Sequence, residues 1–433
     1  MSEIRTTTPA VVFTTSADPL LHGPLAVVRS LGRLGVPVYV LHPGRRLPLD
    51  SSRYLAGRFA LGTRGDDGRH VVDRLVEIAR KFSTSPVLVP VDDEAALIVD
   101  DNDARLSEHY LFPRRPPGLA TRLASKQELT STCRSLGVPA PDAWFPATRE
   151  EARACVAALP VVVKAVDPVM LRRAPGARSV TLAFDVEQAL AAYDLLVAGG
   201  PGNVMVQEYI PGDASTIWMF NGYFDAGSRC RFGATGVKLR QCPPGTGPTS
   251  LGEARDHDGV RRAAERLLVS VGYTGIVDLG FRYDARDGVM KMLDVNPRIG
   301  GTFRLFTGQD GLDVVRSLYL DLTGQDVPQD TVREGRRWQD EPHDLLSQAV
   351  SRRRGTPTWS DWLASARRVD ERAWFAADDR RPFILSLKHT AARSRRGLAR
   401  VAGASGPDPA AVPLAGGPSP ALDGSAVDGD RSS

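Results

Sequence analysis

The sequence is short of lysine. Only six of its 55 basic residues are lysine (Lys81, Lys126, Lys164, Lys238, Lys291 and Lys388), and the rest are arginine. That balance points to a GC-rich genome. It also makes each retained lysine a place to look, because an ammonium is a compact point charge where arginine is a planar fork. Cysteine is scarce too. Cys133, Cys155, Cys230 and Cys242 lie far apart and form no Cys-x-x-Cys pair, so neither a zinc site nor a disulfide framework is suggested. No apolar run approaches the ~20 residues of a transmembrane helix. The opening "MSEIRTTTPAVVFTTS" lacks a charged stretch followed by an apolar one. No signal peptide is therefore expected, and a cytoplasmic protein is. A net charge of +4 is small for 433 residues and gives no ground for a nucleic-acid partner.

What remains is an ordinary globular composition, with 42% hydrophobic and 24% charged residues in a chain long enough for two or three domains. The first segment alternates strand and helix. "AVVFTT" (Ala10–Thr15), "VPVYVLH" (Val36–His42) and "PVLVPV" (Pro86–Val91) read as strands, and "GPLAVVRSLGRLG" and "HVVDRLVEIARKF" as amphipathic helices. That alternation implies a parallel sheet covered by helices. No Gly-x-Gly-x-x-Gly follows the first strand, so a dinucleotide site has little support. "VDDEAAL" falls at a strand's C-terminal end, where open α/β sheets bind ligands. Asp92 and Asp93 either contact a substrate there or simply form an acidic helix N-terminus, the plainer reading. A proline-rich link from Phe112 leads to a helix capped near Ser125, and "LGVPAP" stops it. "LPVVVKAV" (Leu159–Val166) and "VMVQEYIPG" (Val204–Gly212) read as strands, and "EARDHDGVRRAAERLLVSVGY" as a long helix. Past residue 334 a few helices are expected. The stretch from 401 onward is Ala, Gly, Pro and Ser and should be disordered.

The chemistry concentrates in two strands, "GIVDLGFRYD" and "GVMKMLDVN", joined by a turn. If Tyr283 pairs with Val289, Asp278 lies opposite Asp294. One face then carries Val277, Leu279, Phe281, Leu293 and Val295, and the other Asp278, Gly280, Met292, Asp294 and Asn296. Two opposed carboxylates destabilise a sheet, and a bound cation reverses that sign. Carboxylate and amide oxygens are hard ligands suited to Mg²⁺, which is usually completed by substrate phosphates. Gly280 leaves room for a close approach. The alternative is a solvated face with ordinary surface acids. "VMKM" (Val289–Met292) looks like the tetrapeptide around a biotinylated lysine, but no compact carrier domain surrounds it.

With these residues in view, the chain resembles the ATP-grasp superfamily, and within it the carboxylate–amine ligases that include D-aspartate ligase-like enzymes. "MLDVNPR" is similar to the family's (Glu/Asp)-x-Asn-x-Arg signature, "VVVKA" to its phosphate-lysine strand, "SKQEL" with "LGVPAP" to its earlier lysine, and "VQEYIPGD" to its adenine-holding linker. The resemblance implies two α+β half-domains clasping ATP, preceded by a Rossmann-like parallel-sheet domain. Residues 1–115 would form that first domain and 116–325 the ATP-grasp domain (half-domains about 116–205 and 206–325). A helical extension (326–400) and a tail (401–433) would follow. It further implies that Asp278, Asp294 and Asn296 bind one or two Mg²⁺ ions. Lys126 and Lys164 would bind phosphates, Gln207, Glu208, Tyr209 and Ile210 line the adenine, and Asp213 reach the ribose.

Lys238 and Arg240 add phosphate contacts on the same reading, or lie at a solvated strand end. Arg172, Arg173 and Arg178, in a glycine-poor loop, either replace backbone phosphate contacts or are solvated. Arg298, with Lys164, would stabilise the transferring phosphoryl group. Arg304 either holds a substrate carboxylate or buttresses the fold. The implied reaction forms an acyl phosphate from a small carboxylate and ATP, which an amine then attacks. The alternatives are a carboxylase-type member activating bicarbonate and a nucleotide-binding protein without turnover. A homodimer surface on the first domain is also implied. The basic segment Asp378–Gly403 is either a packed C-terminal helix, the plainer reading, or a contact for an anionic membrane or a partner.

Overall fold

The computed structural model describes residues 4–390 apart from 45, 63–67, 157–158, 167–169, 172 and 353–357. The expected disordered tail, Arg172 and the end of the basic C-terminal segment lie outside the described residues. Among those described, no helix is long and apolar enough to cross a membrane.

Three sheets carry the chain. The first is wholly parallel, with β1 (Ala10–Phe13), β2 (Val38–His42), β3 (Leu55–Ala60) and β4 (Val87–Pro90) in the order β3-β2-β1-β4. Alternate residues of β1 feed opposite faces, as a pleated strand requires. Val12 packs with Leu25, Val28 and Leu31 of α1 (Gly23–Gly32). Val11 and Phe13 pack with Val72 and Leu75 of α2 (Gly68–Ala79) and Ala95 of α3 (Asp93–Asp101). Asp92 caps α3, its carboxylate accepting from the Ala95 amide at 2.8 Å.

The second sheet is antiparallel, with β5 (Ala143–Trp144), β6 (Val161–Ala165), β7 (Val180–Ala183) and β8 (Val204–Glu208) in the order β5-β8-β6-β7. It is entered through α4 (Lys126–Ser135), which Ser125 caps. Helices α5 (Arg149–Cys155) and α6 (Val186–Val197) cover one face, with Val161, Val163 and Ala165 in the core between.

The third sheet has seven strands, β9 (Ile217–Phe224), β10 (Cys230–Gln241), β11 (Thr249–Ala254), β12 (Gly275–Asp284), β13 (Val289–Asn296), β14 (Arg337–Gln339) and β15 (Glu371–Arg372). Their order is β13-β12-β9-β10-β11-β14-β15. One face packs on α7 (Asp258–Ser270). On the other, Met219 and Tyr223 share a core with α8 (Val314–Leu322), α1, Trp338 and Trp374. The C-terminal extension thus supplies two edge strands as well as the expected helices α9 (Glu341–Arg352), α10 (Trp359–Ala366) and one over 381–390. Its burial of Trp338 and Trp374 makes it part of the main core.

The β12–β13 register differs from the expected one. Asp284, not Tyr283, pairs with Val289, and Asp278 faces Asn296 rather than Asp294. Two physical causes combine. The Asp284 carboxylate turns inward to accept from Arg286 Nε at 2.8 Å and Lys291 Nζ at 2.7 Å, so the turn closes one residue later. Leu293 is then an extra residue, since Met292 pairs with Phe281 and Asp294 with Gly280. The bulge puts Met292 into the core and Leu293 on the cavity side, the reverse of the regular alternation.

Candidate active site

A cavity of about 990 Å³ is lined by the second and third sheets and by the segments that follow β1 and β4 of the first. On β6, Val162 and Lys164 face it while Val161 and Val163 face the core. Lys126, the first residue of α4, lines it as well, and so does Lys238 from β10. From the third sheet come Gly280, Arg282, Asp294 and Asn296, and from the end of β8 and the linker after it come Gln207, Glu208, Tyr209 and Ile210. The first domain closes one side with Thr15, Ser16, Asp92, Asp93 and Glu94.

The lysines sit where charge is costly. Burial brings the Lys164 ammonium down to about 8, against the pull of Asp294, with Lys126 and Arg282 adding repulsion. Burial lowers Lys238 too, offset by Asp294 and Asp278. Opposite them, burial pushes the Asp278 carboxyl up, countered by Arg298, while repulsion from Asp294 adds to the rise. Charges of both signs shifted by burial and by one another in a cavity are a common mark of function.

The acids are packed against backbone. A Cβ at Gly280 would stand 2.1 Å from Asp294 Oδ1, and one at Gly300 would stand 2.5 Å from Asp278 Cγ. Gly280 therefore makes room for the acid itself. The two carboxylates, no longer directly opposite each other, are also less bare than the sequence suggests. Asn221 donates to Asp278 at 2.7 Å, and the Asn296 amide lies 3.4 Å from Asp278 and 3.3 Å from Asp294. Turning that amide over would present its oxygen beside two carboxylates. This is a donor set that fits Mg²⁺, with phosphate oxygens left to complete it.

Other expected residues are placed differently. Arg240 does not line the cavity. Its guanidinium makes a two-pronged bridge to Asp344 at 2.7 Å on both prongs and donates to Ser365 at 2.9 Å. Asp213 is exposed and holds the Ser215 amide and hydroxyl at the start of a single 3-10 turn. Arg173 and Arg178 are exposed and stand off the cavity wall. Arg304 is a buttress, bonded to Glu371 at 2.9 and 3.0 Å and to Asp313. Lys291 of "VMKM" is held by Asp284 and Asp287 at 2.7 and 3.1 Å. Glu208 lines the cavity while paired with Arg286 and, at 3.6 Å, with Lys291.

Arg298 lies beside the metal-type ligands but is held from another domain. Its Nε donates to Asp93 at 2.6 Å, Nη1 to the Ile299 carbonyl at 3.0 Å, and Nη2 lies 3.5 Å from Asn296 Oδ1. Asp93 thus does more than decorate a helix N-terminus. Arg282 was not singled out in the sequence. It lies 5.7 Å over the Tyr209 ring and donates to the Gly212 carbonyl at 2.5 Å. Its signal was present, since it follows Asp278 and Gly280 at alternate positions.

No protein-family model matches the chain. Over 246 residues it is 25% identical to a D-aspartate ligase of Enterococcus faecium (strain Aus0004), a match covering 53% of this chain and 57% of that relative. The chain therefore spans a little over half the relative's length. Among solved structures it is similar to an L-amino acid ligase from Bacillus licheniformis, with a TM-score of 0.58 and 14% identity over 77% of this chain and 79% of that one. It is also similar to a biotin carboxylase from Campylobacter jejuni in complex with an ATP analogue, with a TM-score of 0.58 and 13% identity over 77% and 75%. At such identities the structural likeness bears on the fold alone, and that fold is ATP-grasp behind a Rossmann-like domain.

Proposed function

We propose that this ATP-grasp chain is a cytoplasmic ATP-dependent carboxylate–amine ligase. The observation that carries the reading is the convergence of Lys126, Lys164 and Lys238 on the cavity that also exposes Asp294 and Asn296. A triphosphate needs fixed cations around it, and burial lowers both Lys164 and Lys238 there, with Asp294 offsetting it only in part. Gln207, Glu208, Tyr209 and Ile210 would line the adenine. Asp278, Asp294 and Asn296 would hold Mg²⁺, which supplies charge neutralisation at the phosphates when bound.

In the first step a carboxylate oxygen attacks the γ-phosphorus and ADP leaves, giving an acyl phosphate. In the second an amine attacks the acyl carbon, phosphate leaves, and the amine gives up a proton. Lys164 and Arg298 carry the stabilisation of developing charge, with Asp93 and the Ile299 carbonyl fixing the guanidinium beside Asn296. Preorganised donors of this kind are each worth about 10²–10³ in rate.

The test is an ADP-release screen of D-aspartate, L-aspartate, other amino acids, dipeptides and small carboxylates, each offered with amines. Carboxylate-dependent ADP release should fall at least about 100-fold in Asp294→Ala and Arg298→Ala. Unchanged turnover in both would sink the assignment, and release dependent on bicarbonate alone would favour a carboxylase.

A further inference from the structure

The end of β10 holds a polar side chain that the nucleotide and metal roles leave unused. The β10–β11 pairing loses register between Lys238 and Arg240 and again between Arg240 and Gln241. In a regular strand residues three apart point to opposite faces. Here Lys238 and Gln241 both line the cavity, while Arg240 between them reaches out to Asp344. Such re-aiming is what bulges accomplish beside active sites.

Gln241 is held firmly in place. It pairs with Thr249 of β11, and its carbonyl accepts from Ser347 Oγ of α9 at 2.8 Å. The loop beyond doubles back so tightly that a Cβ at Gly247 would fall 2.0 Å from the Cys242 carbonyl. The residue is 5% exposed. Among the described residues none hydrogen-bonds its side-chain amide, and that amide is not one of the polar atoms sealed from solvent. A glutamine amide offers two donors and an acceptor, and here they face the cavity, open to whatever occupies it. Lys238, on the same strand, feels Asp278 and Asp294 and sits 3.5 Å from the Gly247 carbonyl. Gln241 therefore shares the cavity wall with Lys238, three residues back on the same strand, and Lys238 is the residue that feels the two acids.

We propose that Gln241 is a specificity-determining residue of the carboxylate subsite, its amide hydrogen-bonding a polar substituent of an amino-acid substrate beside Lys238. The inference rests on the ligase reading. It also gives the C-terminal extension a task, because Asp344 and Ser347 are what hold this strand end in its bulged form.

The test compares wild type, Gln241→Leu and Gln241→Glu in ADP release with D-aspartate, L-aspartate and unsubstituted butyrate, with Mg²⁺-ADP affinity by calorimetry as the folding control. Gln241→Leu should lower kcat/KM for the preferred aspartate about 10- to 100-fold through KM, leave butyrate unchanged, and keep ADP affinity within about twofold. Gln241→Glu, which retains size but loses both donors, should raise the aspartate KM at least as much. Equal losses for aspartate and butyrate, an unchanged aspartate KM, or a parallel loss of ADP affinity would overturn the assignment. Wild-type silence with every acid would remove the ligase reading and this inference together, whereas an active wild type with indifferent variants would remove only the inference.

Discussion

Lys164 on β6 and Arg240 on β10 are both cations near one cavity, and their surroundings are opposite. Lys164 is half-buried on the cavity wall, with Asp294 acting on it only through space and Lys126 and Arg282 opposing its charge. Arg240 is 18% exposed and bonded on two prongs to Asp344, which is fully buried. Asp344 accepts further from Gln339 and Trp362, each at 2.7 Å, and from Ser250 at 3.1 Å. One cation is left wanting an anion, and the other completes a polar network that docks the C-terminal extension. A cationic residue on a strand beside a cavity is thus a poor guide by itself. What separates a binding charge from a structural one is whether the protein already supplies its counterion.

The largest effect should come from breaking the structural member. Arg240→Met would leave the Asp344 carboxylate buried without its ion-pair partner, a change that costs about 3–5 kcal/mol. Urea unfolding should show that loss, while the folded fraction keeps its Mg²⁺-ADP affinity. Lys164→Met should do the opposite. It removes a charge that burial already disfavours, so stability should hold within about 1 kcal/mol. Nucleotide affinity should fall about 100-fold, or about 2.8 kcal/mol. If Arg240→Met proves harmless to stability and damaging to nucleotide binding, the contrast is inverted and Arg240 belongs to the site.

The pH dependence sharpens the same contrast at smaller magnitude. The Lys164 ammonium in the free protein loses its proton near pH 8, well below an ordinary lysine. A bound triphosphate would restore the charged form, so binding above pH 8 should take up a proton. Affinity should decline as pH rises through about 8. Calorimetry in two buffers of different ionisation enthalpy reads the uptake directly. The slope should be reduced in Lys164→Met and persist only to the extent that Lys238, lowered in the same direction, contributes.

How far the sequence foretells these arrangements varies with how local the cause is. The parallel sheet, the β12–β13 pair and the lysine in β6 follow from periodicity within a few residues, and they stand where that periodicity puts them. The register of β12–β13 does not, because it depends on the inward turn of Asp284 and the extra Leu293. Neither choice is encoded in alternation. β9 reads "IWMFNGYF", a run interrupted only by Asn221 and Gly222 with no polar–apolar alternation to mark it as a strand, because both of its faces are covered. Arg240 and Gln241 were beyond reach for a longer-range reason. Their destinations are set by Asp344 and Ser347, more than 100 residues downstream.

The contact between Asp93 and Arg298 offers the finest test, since it joins the two kinds of role in one pair. Arg298 is 18% exposed and Asp93 57%, and 205 residues separate them. An ion pair this exposed on one side contributes little to stability, about 0–1 kcal/mol. Its value would lie in orientation, because it fixes Nε and so directs the remaining nitrogens toward Ile299 and Asn296. Asp93→Asn keeps the shape and removes the charge. The expected outcome is a three- to tenfold fall in kcat, about 0.7–1.4 kcal/mol in the barrier, with the melting temperature and the KM for ATP unchanged. Asp93→Glu should recover part of the loss. A rise in KM at constant kcat would instead mean that the pair holds the first domain against the nucleotide cavity. Arg298 would then resemble Arg240 more than Lys164, a cation whose counterion is built in and whose first duty is to the fold.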